Sequence, residues 1–193
     1  MKIIKRNEGI ALCPDRSPID FDTAIWIICD AAGASDEDPD SYRGGFALIV
    51  IPGAKYTYWI QRSWSAIELL QHSTALECAN GTQALQALLQ QRTPVDIIEC
   101  FDNSATTGCR RRMACVSPSM CKHVEAFGDV VTNMGRHRLF SLWYPREDIQ
   151  MADDGSKNDM EAVKRGLKLR GFPDLAPHPW RVNDQVGEMP CNA

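Results

Sequence analysis

No stretch of the 193 residues is apolar for long enough to span a bilayer, and the opening M-K-I-I-K-R lacks the core of a signal peptide. Positive charge is also short. A formal net charge of -4 and a pI near 5.6 exclude charge-driven nucleic-acid binding over the whole surface, leaving room only for a local basic patch. Closely paired cysteines are missing too. The cluster Cys109, Cys115, Cys121 and His123 fits no common zinc module, whose ligands come as C-x-x-C pairs. Cys29 and Cys100 lie inside apolar runs, where thiols pack as small hydrophobes. There is no internal repeat. These absences lead to the expectation of a soluble intracellular protein, cytoplasmic or nuclear, with reduced cysteines and no membrane partner.

What is present is organised around residues 24–31, A-I-W-I-I-C-D-A. The run is apolar without alternation, the pattern of a strand buried on both faces. It ends in Asp30 and the small residues Ala31, Ala32 and Gly33. A turn aspartate is one reading; a carboxylate neutralised by a metal ion at the mouth of the strand is the other.

Residues 1–20, with Pro14 and Pro18, read as a linker or extension, and 36–40 as a solvated acidic loop. Gly44 and Gly45 open a second strand over 46–51, Pro52-Gly53 marks a turn, and 56–61 alternates as an outer strand does. Ser73 and Thr74 are candidate N-caps for a helix to about 89, with Glu77 three residues after Thr74 as in a capping box. Glu77 also shares a face with Gly81, Ala84, Leu85 and Leu88, which turns it toward the sheet. Thr93-Pro94 closes this unit. A second buried strand over 95–101 ends in Asp102-Asn103-Ser104. Helices carrying Arg110, Arg111 and Arg112, then 119–134, lead to a last strand over 138–144. Asp153 and Asp154 fall in a short helix after Pro145, and 159–170 suits an amphipathic helix. The proline-containing tail from Phe172 reads as extended or disordered. The domain proper is expected over 21–158, with 159–193 as a C-terminal helix and tail. Three strands, helix, strand, helices, strand, helix imply an α/β sandwich with a mixed sheet.

Two buried strands ending in aspartate place Asp30 and Asp102 side by side if the strands are parallel neighbours. Glu77 can join them from the intervening helix, and Asp153 or Asp154 supplies a fourth acid. Four adjoining carboxylates resist ionisation unless cations are present. Two divalent ions offset their charge, which is the logic of two-metal phosphodiester chemistry. An all-oxygen ligand set selects Mg²⁺ or Mn²⁺.

These pieces resemble a ribonuclease H domain of the type attached to reverse transcriptases of retroelements. The matching segments are the strand ending in Asp30 with Gly44-Gly45-Phe46, S-T-A-L-E ending in Glu77, F-D-N-S around Asp102, and W-Y-P-R-E-D-I-Q-M-A-D ending in Asp153. The resemblance covers roughly residues 22–158. It implies a five-stranded mixed β-sheet flanked by helices on both faces, and endonucleolytic hydrolysis of RNA paired with DNA. It also implies that Asp30, Glu77, Asp102 and Asp153 are catalytic and hold two Mg²⁺ or Mn²⁺ ions. Asp153 is preferred because the family pattern ends in Ala-Asp, and Asp154 points about 100° away on a helix. The implied partners are an RNA–DNA hybrid and a reverse-transcriptase polymerase domain. Substrate contacts are expected at Gly44, Gly45, Asn103, Ser104 and Arg146, with Arg110, Arg111 and Arg112 either on DNA phosphates or on a solvated face. Many cellular members carry a histidine before the last aspartate, where this chain offers Arg146 and Glu147. A catalytically silent module of the same fold is the alternative. An exonuclease of this fold needs a glutamate where Ala32 stands.

Overall fold

Strand β1, Ile25–Ala31, is buried along almost its whole length because helices cover both of its faces. The computed structural model describes residues 19–33, 42–89, 96–135 and 137–180. The expectations for the extension over 1–18, the acidic loop 36–40, Thr93-Pro94 and the tail beyond 180 lie outside the described residues. β1 pairs antiparallel with β2, Gly44–Val50, which pairs antiparallel with β3, Tyr58–Ser63. On its other side β1 pairs parallel with β4, Asp96–Phe101, and β4 with β5, Arg138–Trp143. The sheet is five-stranded and mixed, in the order β3-β2-β1-β4-β5.

Alternation along β1 sorts the core into two layers. Ile25, Ile27 and Cys29 pack with Ala84, Leu85 and Leu88 of helix α2, Ser73–Leu88, and with Phe127 of α4, Pro118–Thr132. Ile28, Phe46, Leu48 and Ile98 face the other way, onto Met151 and Ala152 of α5, Gln150–Ser156, and Val163 and Leu167 of α6, Met160–Leu169. Two short elements complete the chain: α1, Ala66–Leu69, and α3, Ser104–Arg112. Cys29 and Cys100 are buried, as expected of small hydrophobes. None of the described helices is long and apolar enough to cross a membrane.

Three features depart from the sequence expectations. Helix α2 starts two residues earlier relative to Glu77 than a capping box needs: its N-cap is His72, which makes no side-chain cap bond. The box forms instead at α1, where Ser65 accepts from the Glu68 N–H and Glu68 accepts from the Ser65 N–H at 2.9 Å. The packed body also runs past 158. Residues 172–180 lie along the edge strand, with the Thr57 N–H donating to the Asp174 carbonyl and the Trp180 N–H to the Trp59 carbonyl. Trp180 is buried edge-on against Tyr58. The segment is extended, as its prolines allow, and covers an edge that would otherwise be open.

Candidate functional site

The parallel register Ile28↔Cys100 carries β1 and β4 out of the sheet together, so Asp30 and Asp102 each follow two residues later at the same end. Glu77 reaches the same point from the first turns of α2. Oxygens of Asp30, Glu77 and Asp102 all lie within 4.8 Å of one another. Asp30 and Glu77 are buried, and Asp102 is half-buried. Asn80, one turn beyond Glu77, fixes this approach: its buried amide donates to the Asp30 carbonyl at 3.0 Å and the Phe46 carbonyl at 2.8 Å. A Cβ on Gly45 would stand 2.5 Å from Asn80 Oδ1, and one on Gly44 would stand 2.3 Å from the Arg62 carbonyl. Both glycines are therefore required by close backbone approach.

Asp153 joins from α5. The Ser156 hydroxyl lies 2.8 Å from Asp30 Oδ2 and 2.8 Å from the Asp153 carbonyl, stitching α5 to the end of β1. The Asp153 carboxylate accepts from Gln150 Nε2 at 2.8 Å and Lys157 Nζ at 2.6 Å. Arg146 spans the gap, with Nε 2.7 Å from Asp102 Oδ2 and Nη1 3.9 Å from Asp153 Oδ1. Asp154 is only half-buried.

Burial pushes the Glu77 carboxyl well up from its usual range, with Asp30 and Asp102 adding to the shift. Burial likewise raises Asp30, aided by Asp102 and Asp153 and opposed by the Ser156 hydroxyl. Glu77 Oε2 accepts from Thr106 Oγ1 at 3.2 Å, while Oε1 is buried without a hydrogen-bond partner. A buried carboxylate oxygen left without a donor, beside two more carboxylates, fits a hard cation.

The raised values give a testable pH dependence. A carboxyl with a folded pKa above its unfolded value loses its proton earlier in the unfolded chain, so its contribution to stability falls as pH rises above about 4. A bound cation removes that loss but must displace protons at low pH. Mn²⁺ should therefore raise the melting temperature more at pH 7.5 than at pH 5, by calorimetry. Equal increments at both pH values would dissociate Asp30 and Glu77 from the metal.

Of the expected substrate contacts, Ser104, Arg111, Arg112 and Arg146 are exposed. Gly44 and Gly45 are buried within the sheet. Asn103 spends its side chain inside the domain: Oδ1 caps α3 through the Ala105 and Thr106 N–H groups, and Nδ2 donates to Thr74 Oγ1. Arg110 requires a correction. It is fully buried, with Nε and Nη2 each 2.6 Å from the Glu99 carboxylate and the guanidinium 3.7 Å from the Phe127 ring centroid, so it cannot reach a phosphate. Ser156, Asn80 and Thr106 were missed by the sequence reading; only the placement of their helices brings them to the acids.

No family model matches the chain, and no curated protein matches it in sequence. Solved structures do match. The N-terminal ribonuclease H domain of Rv2228c from Mycobacterium tuberculosis, solved as a fusion with maltose-binding protein, aligns with a TM-score of 0.50 at 15% identity, over 76% of this chain and 99% of that one. LC11-RNase H1, isolated from compost by a metagenomic approach, aligns with a TM-score of 0.50 at 14% identity, over 72% of this chain and 99% of that one. This chain has the ribonuclease H fold. Within that fold its acids converge at the C-terminal ends of parallel strands, where α/β sheets place their ligands.

Proposed function

We propose that this chain is a divalent-metal-dependent endonuclease that hydrolyses the RNA strand of RNA–DNA hybrids, as the ribonuclease H domain of a retroelement reverse transcriptase. The observation that carries the reading is the convergence of Asp30, Glu77 and Asp102 around the partnerless Glu77 Oε1. The retroelement attribution and the reverse-transcriptase polymerase partner rest on the segments S-T-A-L-E ending in Glu77, F-D-N-S around Asp102, and W-Y-P-R-E-D-I-Q-M-A-D ending in Asp153.

Asp30, Glu77, Asp102 and Asp153 would hold two Mg²⁺ or Mn²⁺ ions. Such ions lower the pKa of a bound water and stabilise the leaving 3′ oxygen. The chain's own residues supply the rest. Asn80 and Ser156 hold Asp30 in place, and Thr106 orients one oxygen of Glu77 while leaving the other free. Arg146, exposed and bonded to Asp102, would receive the scissile phosphate. Ser104 at the start of α3 and the exposed Arg111 and Arg112 offer further backbone contacts, Arg111 being steadied by its Nε bond to the Ser141 carbonyl at 2.6 Å. Recognition would rest on phosphates and 2′-hydroxyls rather than on base edges.

A silent module is the second reading. It is favoured by the internal cations, since Arg146 and Lys157 already pair with Asp102 and Asp153. A labelled RNA–DNA hybrid assayed with and without Mg²⁺ separates the two. Cleavage confined to the RNA strand and lost in chelator supports the enzyme; hybrid binding without cleavage supports the module. Calorimetric titration of Mn²⁺ tests the site itself: Asp102→Asn should bind at least about 10-fold more weakly. Unchanged binding would remove Asp102 from it.

A further inference from the structure

Away from the acids, the connection between α3 and α4 and the first turns of α4 bring two thiols together. Cys115 Sγ and Cys121 Sγ are 3.3 Å apart, and both point at one acceptor, the Ser117 carbonyl, at 3.6 and 3.4 Å. Cys121 is exposed in the first turns of α4, Cys115 is half-buried, and Val116 between them is fully exposed, so a small reagent reaches the pair from solvent. The other two members of the Cys/His cluster are engaged elsewhere. Cys109 is buried with Ala75, Cys78, Met120 and Val124, and His123 Nε2 lies 2.6 Å from Gln71 Oε1. Among the described residues, the group whose ligand atoms converge on a metal position is the acidic one. The two thiols are thus a neighbouring pair with no cation to share.

We propose that Cys115 and Cys121 form a reversible intramolecular disulfide when the protein meets a peroxide. Cys121, the exposed member of the pair, meets the peroxide first. Its sulfur attacks one peroxide oxygen, the O–O bond breaks, and a sulfenic acid forms; the departing hydroxide takes a proton and leaves as water. Cys115, half-buried with its sulfur 3.3 Å away and its thiol pushed up by burial and by the adjoining Cys121 thiol, acts second as the resolving cysteine. Its sulfur then attacks the sulfenic sulfur and expels hydroxide, which takes the Cys115 proton and leaves as the second water. Each sulfur loses one electron and the two peroxide oxygens gain them. The sulfurs must close from 3.3 Å to about 2.05 Å, a movement within reach of side-chain rotation on an exposed turn. The bond would tie the 113–117 connection to α4, against the Ala75 and Cys78 face of the helix that carries Glu77.

The test treats the full chain with graded hydrogen peroxide, blocks remaining thiols with a maleimide, and maps peptides by mass. The expected result is loss of two reactive thiols, a mass lower by two hydrogens, a cross-link between Cys115 and Cys121, and recovery in dithiothreitol. Cys115→Ser should instead hold Cys121 as a sulfenic acid that dimedone traps. A disulfide pairing Cys121 with Cys13 or Cys191, a link between two chains, or two unreacted thiols at doses that oxidise a free cysteine peptide would each overturn the proposal. None of these readouts depends on nuclease activity.

Discussion

Arg110→Ala should destabilise the fold by about 3–5 kcal/mol, because it leaves Glu99 as an uncompensated charge in the core. Both side chains are fully buried. The Glu99 carboxylate receives Nε and Nη2 of Arg110 at 2.6 Å each and also the Ser141 hydroxyl, while Nη1 donates to the Cys78 carbonyl at 3.2 Å and Thr82 Oγ1 at 3.0 Å. Each guanidinium nitrogen and each carboxylate oxygen has a partner, and the guanidinium lies 3.7 Å from the Phe127 ring centroid and 5.2 Å from that of Phe101. Against a typical domain stability of about 5–15 kcal/mol, the loss is a large fraction of the whole. Removing both charges at once should cost much less, since a buried pair can be replaced by apolar groups of similar volume at little net cost. Urea denaturation of Arg110→Met and of Arg110→Met with Glu99→Leu gives the comparison. A single variant that loses less than about 1 kcal/mol, or a double variant no better than the single, would show that the pair does not act as a unit.

The ion pair shows where the sequence was legible and where it was not. The buried strands announced themselves by unbroken apolar runs, and their aspartate ends located the site because parallel strands emerge together. Glu77 was found by the helical period, since Gly81, Ala84, Leu85 and Leu88 all face the sheet. Arg110 was misplaced because three consecutive arginines read as one basic patch. A helix turns each of them to a different side, and Arg110 shares its buried side with Thr106 and Thr107. The signal that could have found it is Glu99, a carboxylate inside a strand buried on both faces, which demands a cation from a covering helix. The extended course of the tail from Phe172 was legible, but its docking against β3 was not. Its prolines exclude helix and central strand but suit an edge-covering segment, and only the open edge at β3 decides where it goes. Ser156 and Asn80 carry no sequence signal of this kind, since each reaches a residue distant in the chain, Ser156 through the Asp30 carboxylate and Asn80 through the Asp30 and Phe46 carbonyls.

The adjacent acids of α5 give the sharpest test of the site's register. The Asp153 carboxylate is buried within reach of Arg146, and its carbonyl is joined through Ser156 to Asp30. Asp154, the next residue, turns about 100° away, is half-buried, and accepts one bond from Gln150 at 2.9 Å. A carboxylate-to-amide change keeps shape and removes the charge a cation needs. Asp153→Asn should therefore lower hybrid cleavage by at least about 100-fold, beyond the 10–100-fold that loss of an outer-shell partner costs a metal site. Asp154→Asn, which alters a side chain bonded to Gln150 and to none of the other acids, should cost a few-fold at most. Steady-state cleavage rates at saturating Mg²⁺, with Mn²⁺ affinities from calorimetry beside them, separate lost metal binding from lost chemistry. The reverse ranking would shift the register of α5 by one residue. Equal and minor effects in both variants would send the fourth ligand elsewhere, with Asp148, exposed in the turn before α5, next to be replaced. In that event the acid triad would stand without a partner from α5, and the case for a two-ion site would rest on Asp30, Glu77 and Asp102 alone.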